Sequence, residues 1–532
     1  MKKAISLFAF VAAIILASAL VKRIALISAL LAMFSVTAKA NDVYIAQSNS
    51  GSANGSSCAN AYAYTYFNAS GNWTSGTTSG TQIGPGTTVH ICGTISVAAN
   101  ATALTFQGSG TNGNPLTLKF ETGAVLQSPY FSNSNYGING SGAQWVVIDG
   151  GTNGIIQNTA NGTNLADKQA STLVGGFGSD FTVKNLSFLN VYQHVLNDAN
   201  GDGAWGLYLS GESNVTVGPN NTFTYCDVCI MGDWNSNGSN WTIQGNSFAH
   251  SNQDIQFGFY PAGTFSNLYI HDNTATDWVN WDDAGNDYHH NFVHLFTNLP
   301  GANLAGDIWI YNNYVVGDIG AHSTSMIFLE NDNGGSGGSM APAYIFNNVF
   351  SKTNANVPTS SGLIAPMQDK GFIVNNTISD TGGTGNDAYN CIHIYGTGWT
   401  IENNVLVGCG TYVYQQGSSI AANDNIYYGA ASPQWIFQSN WDSSLASWRS
   451  NCGCDAASVT TNPMLDSTFM LLTGSPAIGL GANLTSWGIT PLNSDKAGQP
   501  RPSSGAWTVG AYSTASVGPP PATGLTGSVQ LQ

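Results

Sequence analysis

WTIQGNSF at residues 241–248 and LYIHDNTA at residues 268–275 share one pattern. Each begins with apolar residues at alternate positions. An Asn, Asp or Gly follows, then an Asn, and a further apolar residue comes two positions after that Asn. The pattern returns at 308–315, 343–350, 372–378, 399–406 and 420–427, and in degenerate form at 181–188 and 215–223. Self-similarity of this kind indicates a repeat architecture.

The second Asn of each phrase predicts a buried ladder. Successive phrases are 21 to 40 residues apart, which excludes a rigid helical repeat. Stacked strands tolerate such variation because extra residues leave the stack as loops, while identical inward Asn side chains hydrogen-bond to one another. The predicted ladder consists of Asn221, Asn246, Asn273, Asn313, Asn348, Asn376, Asn404 and Asn425.

A second strand is predicted between consecutive phrases, at 205–210, 228–233, 254–259, 291–296, 325–330, 362–367 and 391–396. Alternation with a period of two directs the apolar residues of these strands inward. The inward pairs are Leu207/Leu209, Val228/Ile230, Ile255/Phe257, Val293/Leu295, Ile327/Leu329 and Ile392/Ile394. The outward column is then Tyr208, Met231, Gln256, His294, Phe328 and His393.

Several further stretches carry a family resemblance. VHICGTI (89–95), LTLKFETGAVL (116–126), WVVIDGG (145–151) and the closing stretches 462–481 and 495–512 resemble the pectate-lyase-like superfamily of right-handed parallel β-helices. The resemblance covers most of 87–512 and implies an all-β solenoid that cleaves polysaccharides as a lyase or hydrolase, although non-catalytic members exist. Gly479 stands where the closing pattern usually has Asp.

The ends of the sequence predict processing and domain boundaries. Lys22 and Arg23 precede an apolar run, and Ala38-Lys39-Ala40 is a small-residue cleavage pattern, so residues 1–40 are predicted to be a signal peptide of a secreted protein. A second apolar run at 4–21 has the length of a marginal anchor, but no stable membrane span is expected in the mature chain. Residues 41–86 are predicted as an N-terminal cap, 87–512 as the β-helix and 513–532 as a disordered Pro/Gly-rich tail.

The charge and the cysteine content indicate which kinds of ligand the protein can bind and in which environment it folds. The formal net charge is −16, and removal of residues 1–40 makes it more negative because only basic charges are lost. Such a field repels nucleic acid and polyanions unless calcium bridges them, so neutral glycans are the favoured ligands. The eight cysteines of an exported chain predict disulfides with a connectivity that the spacing leaves open.

The densest polar and aromatic cluster, DWVNWDDAGNDYHHNFVHLF at 277–296, predicts a sugar site. Glycoside cleavage needs a proton donor and a base or nucleophile, and aromatic planes stack on sugar rings. Glu330 lies one coil later, at a diagonal of about 7–8 Å from His294, a separation that suits inverting hydrolysis if an acid of 282–287 is its partner. The catalytic candidates are Asp282, Asp283, Asp287, His290, His294 and Glu330, and the substrate-binding candidates are Tyr208, Asp233, Gln256, Trp278, Trp281 and His393.

Two alternatives to hydrolysis stay open, and a calcium site is a separate possibility. The first alternative is β-elimination, which needs a Lys or Arg beside the acidic cluster, yet no such base lies in an outward strand there. The Arg-x-Lys motif of polygalacturonase-like hydrolases is also absent. A non-catalytic, adhesive glycan-binding solenoid is the second alternative. Asp198, Asn200 and Asp202 match the first half of a calcium loop, with Glu212 as a further ligand, although an ordinary Asn/Asp/Gly turn has the same composition.

Overall fold

Short parallel strands make up most of the computed structural model. It describes residues 42–198, 203–234, 237–259, 263–283, 288–297, 300–321, 323–331, 338–353, 359, 361–380 and 390–513, without the side chains of Leu165, Asp233, Trp234 and Phe259. The strands are β1 (Asp42–Ala46), β2 (Tyr62–Ala63), β3 (Thr88–Ile91), β4 (Thr94–Ser96), β5 (Leu104–Thr105), β6 (Leu116–Phe120), β7 (Val125–Ser128), β8 (Ile138–Asn139), β9 (Val146–Asn158), β10 (Ser171–Gly175), β11 (Phe181–Leu189), β12 (Ala204–Leu209), β13 (Ser213–Val217), β14 (Thr222–Thr224), β15 (Val228–Trp234), β16 (Gly238–Gln244), β17 (Ser247–Ala249), β18 (Gln253–Phe259), β19 (Thr264–His271), β20 (Thr274–Thr276), β21 (Asn291–Phe296), β22 (Asn303–Leu304), β23 (Ile308–Tyr311), β24 (Tyr314–Gly317), β25 (Ile327–Glu330), β26 (Ser339–Met340), β27 (Ala343–Phe346), β28 (Val349–Lys352), β29 (Ile364–Pro366), β30 (Gly371–Val374), β31 (Thr377–Asp380), β32 (Asn390–Ile394), β33 (Trp399–Glu402), β34 (Val405–Val407), β35 (Thr411–Gln415), β36 (Ile420–Asn423), β37 (Ile426–Tyr428), β38 (Gln434–Phe437) and β39 (Asn440–Asp442).

Helical elements are short. The α-helices are α1 (Thr65–Asn68) and α2 (Leu445–Cys452), and 3-10 turns cover Cys58–Asn60, Ser70–Asn72, Leu165–Asp167, Val279–Trp281, Thr485–Trp487 and Thr490–Asn493. No helix within the described ranges has the length and apolar character that a membrane crossing requires.

The strands stack into two sheets, one of 26 strands and one of 13. The smaller sheet runs β39-β38-β35-β32-β29-β25-β21-β18-β15-β12-β10-β8-β5, and its strands are parallel except for the antiparallel β38–β39 pair. In the larger sheet, β16 pairs with β19 and β17 with β20, so each coil contributes a strand before its ladder Asn and another after it. These registers confirm the predicted right-handed parallel β-helix and correct the two-strand coil to a coil of three strands, because each phrase bends at its Asn.

The predicted Asn ladder is confirmed over its full length. Each ladder Asn is buried, and its Nδ2 donates to Oδ1 of the next ladder Asn at 3.0–3.1 Å. The residue before each ladder Asn has a positive φ, as at Gly245 (61°), Asp272 (56°) and Asn312 (56°). Gly, Asn and Asp tolerate this left-handed backbone, which explains why the phrase carries them before the ladder Asn.

The core follows the predicted pattern, and coils are already present before residue 87. All six predicted inward pairs of the smaller sheet are buried. The stack begins at β1, whose residues Asp42–Ile45 pair with β3, so coils start before residue 87 and inside the predicted cap region. In the closing segment, Leu484, Leu492 and Trp507 pack against Phe346 and Val374 of the larger sheet. The predicted signal peptide at 1–40 and the tail after Ser513 lie outside the described residues.

All eight cysteines form disulfides, which confirms that part of the prediction. The pairs are Cys58–Cys92, Cys226–Cys229, Cys391–Cys409 and Cys452–Cys454. Two of these bonds join distant parts of the chain, and two close very short loops.

Candidate functional site

The outward column of the smaller sheet forms as predicted. Strand register places Tyr208 beside Met231, Met231 beside Gln256, Gln256 beside His294, and His294 beside Phe328. A neighbouring column contains Asp233, Gly258, Phe296 and Glu330, so Asp233 and Glu330 are three strands apart, as expected. The side chain of Asp233 lies outside the described residues.

His294 and Glu330 form the centre of the site. His294 Nε2 lies 3.0 Å from Glu330 Oε2, and the imidazole ring stacks between His289 and Phe328 with centroid distances of 5.1 Å on each side. The Glu330 side chain is 23% exposed and that of His294 only 5%, so the carboxylate is the accessible member of the pair. Because an ionised carboxylate only accepts, the Nε2–H of His294 donates to it.

His289 is the second imidazole of this cluster, although His290 and not His289 was predicted to be catalytic. Burial, and then the neighbouring His294, lower the pKa of His289 to about 4, while Glu330 opposes the shift. The ring is therefore neutral at neutral pH. Within the described ranges, the Nδ1 atoms of His289 and His294 are buried without a hydrogen-bond partner. Buried polar atoms in this state are uncommon in native proteins.

Asn252 holds the loop that carries the imidazoles. Its Oδ1 accepts hydrogen bonds from the backbone N–H groups of His289 (3.0 Å) and His290 (3.2 Å), and its Nδ2 donates to Asp227 Oδ1 at 2.9 Å. Burial raises the pKa of Asp227 to about 6. Asn252 and Asp227 were not predicted, because their separation of 25 residues becomes a contact only when consecutive coils stack.

His290 and Asp282 brace the coil and do not face the sheet surface. His290 is buried and donates from Nδ1 to the carbonyl of Ile319 at 2.8 Å, and Asp282 Oδ1 accepts from the backbone N–H of Ala321 at 2.6 Å. Asp283 is also buried. These three predicted catalytic residues are thus buried, and the third acid of this loop, Asp287, lies outside the described residues.

Trp278 and Trp281 correct the prediction of a sugar-stacking surface, because both side chains are fully buried. Trp281 stacks on His194 at 4.4 Å and donates from Nε1 to the carbonyl of His250 at 3.1 Å. The turn around 277–283 has no period that would show which side faces inward, so the sequence alone could not distinguish a core indole from a surface one.

A different set of rings forms a half-buried aromatic surface on the smaller sheet. Trp205 stacks on Tyr208 at 4.9 Å, Tyr136 lies 6.1 Å from the same ring, and all three side chains are half-buried. We call these three residues the aromatic platform. Tyr208 and His294 are three strands apart, which corresponds to about 14 Å. Tyr208 was predicted, whereas Trp205 breaks the alternation of its strand and was missed.

His393 occupies the same column on the far side of His294. It is buried between the rings of Tyr395 (4.0 Å) and Tyr414 (4.3 Å), and burial lowers its pKa to about 4. Both ring faces are therefore covered. Gln256, by contrast, is half-buried and lies directly beside His294 in the strand register. Its amide is therefore placed to contact a ligand bound at His294.

The proposed calcium ligands are only partly described. The Asp198 carboxylate is buried and forms an ion pair with the Lys168 ammonium, whereas Asn200 and Asp202 lie outside the described residues. Burial raises the pKa of Glu212 to about 7. Within the described ranges, no group of three His, Cys, Asp or Glu side chains has the geometry of a metal site. Calcium binding stays a prediction.

Comparison with known proteins was made by sequence and by structure. No protein-family model matches the chain, and no curated protein sequence matches it. Among solved structures, pectate lyase Pel9A is 15% identical with a TM-score of 0.38, and the match covers 90% of this chain and 97% of that chain. The tailspike protein of E. coli bacteriophage HK620 was solved in complex with a pentasaccharide. Its double mutant is 11% identical with a TM-score of 0.34 and covers 66% of this chain and 60% of that chain. A single mutant is 12% identical with a TM-score of 0.34, covering 66% and 61%. The assignment of the fold rests on the strand register given above.

Proposed function

We propose that the protein is a secreted enzyme that cleaves an extracellular polysaccharide by glycoside hydrolysis at Glu330 and His294. The observation that carries the proposal is the His294–Glu330 hydrogen bond of 3.0 Å on the outward face of the smaller sheet. A carboxylate that is partly exposed, oriented by a buried imidazole and placed near an aromatic surface is an arrangement that sugar chemistry can use.

Glu330 is assigned the role of general base. Its carboxylate takes a proton from a water molecule as that water attacks the anomeric carbon, and the bond to the leaving sugar oxygen breaks as a carboxylic acid of the site donates a proton to that oxygen. His294 is a positioning residue, because its Nε2–H fixes one carboxylate oxygen and its ring is held between His289 and Phe328. Of the acids predicted as proton donors, Asp282 and Asp283 are buried, so Asp287 is the one to test first.

The substrate is proposed to be a neutral or weakly acidic glycan. The aromatic platform offers ring surfaces and hydroxyl groups that match the alternating apolar and polar faces of a sugar. The net charge of −16 disfavours a polyanionic chain. An elimination mechanism would need a Lys or Arg side chain that abstracts the proton beside a uronate in its unprotonated form, and Lys352 of the larger sheet is instead buried in an ion pair with Asp380 at 3.0 Å.

The test is a panel of polysaccharides incubated with the purified full chain, with and without chelator. Reducing ends and the ultraviolet absorbance of unsaturated uronates are followed together. Hydrolysis gives reducing ends alone, elimination gives both signals, and retention on a glycan gel without cleavage identifies a binding protein. The last two outcomes would each overturn the proposed hydrolysis.

Glu330→Gln tests the assigned residue once a cleaved substrate is found. We expect activity to fall by about 100-fold or more, because the amide cannot accept the proton of water. Glu121→Gln is the matched control, since Glu121 Oε1 also contacts an imidazole, that of His90 at 2.6 Å, on the other sheet. Equal activity of the two variants would refute the role of Glu330.

A further inference from the structure

Cys452 and Cys454 form a disulfide across a single residue at the C-terminal end of α2. Gly453 between them caps the helix with a φ of 65°. Both cysteine residues are half-buried at the edge of the core. The other short bond, Cys226–Cys229, is fully buried at both ends.

Loop size separates this bond from disulfides that stabilise the fold. A disulfide restricts the unfolded chain more when it closes a longer loop. The sequence separations are 34 for Cys58–Cys92 and 18 for Cys391–Cys409, but only 2 for Cys452–Cys454. The bond between Cys452 and Cys454 therefore contributes least to folding, and its opening leaves the two sulfur atoms close enough to reform it.

The backbone favours one direction of opening. The N–H of Cys454 donates to Sγ of Cys452 at 3.1 Å. Hydrogen bonding to the charged form of a group stabilises it, so Cys452 is the better thiolate leaving group and Cys454 the sulfur that is attacked.

The surrounding turn does not depend on the disulfide. Asp455 Oδ2 accepts hydrogen bonds from Tyr427 (2.6 Å) and from Trp448 Nε1 (2.8 Å). The Arg449 guanidinium donates from Nε to the carbonyl of Asp455 at 2.8 Å. These contacts hold the chain on both sides of the cysteines when the bond is open.

We propose that Cys452–Cys454 is a thiol–disulfide exchange site that takes small soluble thiols as its substrate. The thiolate of the first small thiol bonds to Cys454 Sγ as the Cys454–Cys452 bond breaks, and Cys452 leaves as a thiolate. A second small thiolate attacks the small-thiol sulfur of the mixed disulfide and releases Cys454. Two small thiols are oxidised to their disulfide, and the protein bond is reduced to two thiols.

The test uses the native full chain and reduced glutathione at graded concentrations and times. The reaction is stopped with acid, free thiols are alkylated, and each cysteine peptide is quantified by mass spectrometry. We expect Cys452 and Cys454 to be labelled about tenfold faster or more than every other pair. Two other disulfides distinguish the effect of loop length from the effect of exposure. Cys226–Cys229 closes a short loop but is buried, whereas Cys58–Cys92 closes a long loop and has an exposed Cys58.

Two variants complete the test. The double variant Cys452→Ser/Cys454→Ser should abolish the fast labelling phase and leave the circular dichroism spectrum unchanged, whereas Cys226→Ser/Cys229→Ser should retain the fast phase. Trapped glutathione is expected mainly on Cys454. Similar labelling rates for all four bonds would overturn the proposal, and trapping mainly on Cys452 would overturn its direction.

Discussion

His393 shows how the burial of one side chain becomes a pH dependence of folding. Its pKa is lowered to about 4 because the ring is buried between Tyr395 and Tyr414. An unfolded chain holds histidine near its ordinary pKa of about 6.5. Between these two values the unfolded state binds more protons than the folded state, so stability is complete above about pH 6.5 and is lost as the pH falls.

His393→Gln should remove this dependence. The shift corresponds to about 3 kcal/mol between pH 6.5 and pH 4, a quantity that the variant no longer loses on acidification. Denaturant unfolding of both proteins across this range measures the difference, and subtraction cancels the contributions of the other titrating groups. An identical slope in the two proteins would contradict the assignment.

Tryptophan residues at two places separate packing from ligand contact. Trp281→Ala should cost about 3–5 kcal/mol of stability, because it empties a fully buried site. Trp205→Ala on the aromatic platform should leave the thermal midpoint nearly unchanged and weaken glycan binding by about tenfold. Unfolding curves and glycan titrations of both variants test whether Trp281 packs in the core and Trp205 contacts the ligand. A strong loss of glycan binding in a stably folded Trp281 variant would contradict this assignment.

Elements rather than single residues carry the Asn ladder. Asn313 Nδ2 donates to the carbonyl of Ile270 and to Asn348 Oδ1, and Asn313 Oδ1 accepts from the backbone and side chain of Asn273. A change at one rung therefore leaves polar groups unpaired on two neighbouring coils.

Asn313→Ala should lower the free energy of unfolding by about 3 kcal/mol or more, because several buried groups lose their partners together. Asn240→Gly is the matched control. Asn240 belongs to an exposed row in which its Nδ2 donates to Asn214 Oδ1, and its φ of 58° is one that glycine accepts. We expect a change below about 1 kcal/mol there, measured by denaturant unfolding. Equal losses would show that the buried position does not matter.

The same elements show what sequence could predict. Strand facing and column membership followed from a period of two, which is why Glu330 could be placed one coil beyond His294, although an acid of 282–287 and not His294 was expected to be its partner. The turn 277–283 has no period, so the burial of Trp278 and Asp282 could not be foreseen. The three-strand coil was missed because the bend needs only the residue of positive φ before the ladder Asn, which has the composition of any turn.

At the scale of the whole molecule, charge governs which polymers can approach. The formal net charge is −16, with 29 acidic residues against 13 Lys and Arg, so the protein as a whole repels polyanions. Repulsion of an anionic polymer weakens as salt shortens the screening length, to about 8 Å at physiological ionic strength.

Association with an anionic polysaccharide should therefore become faster as sodium chloride is raised from about 10 mM to 150 mM, whereas a neutral polysaccharide should show no change. Initial rates of binding or cleavage on the two polymers at several salt concentrations provide the measurement. Slower reaction with the anionic polymer at higher salt would indicate a local basic surface that overrides the net charge.

The bend and the Asn that follows it fix the distance between consecutive coils, but they do not fix the number of residues in a coil. Each turn must climb by one strand spacing, because amide meets amide along the ladder, whereas the residues between rungs number from 21 to 40. New loops can thus be inserted beside a site without moving the strands above or below it. The spacing between coils is therefore constant, whereas the length of each coil can vary. A grafted loop would alter what the surface recognises while the stacked strands stay in place.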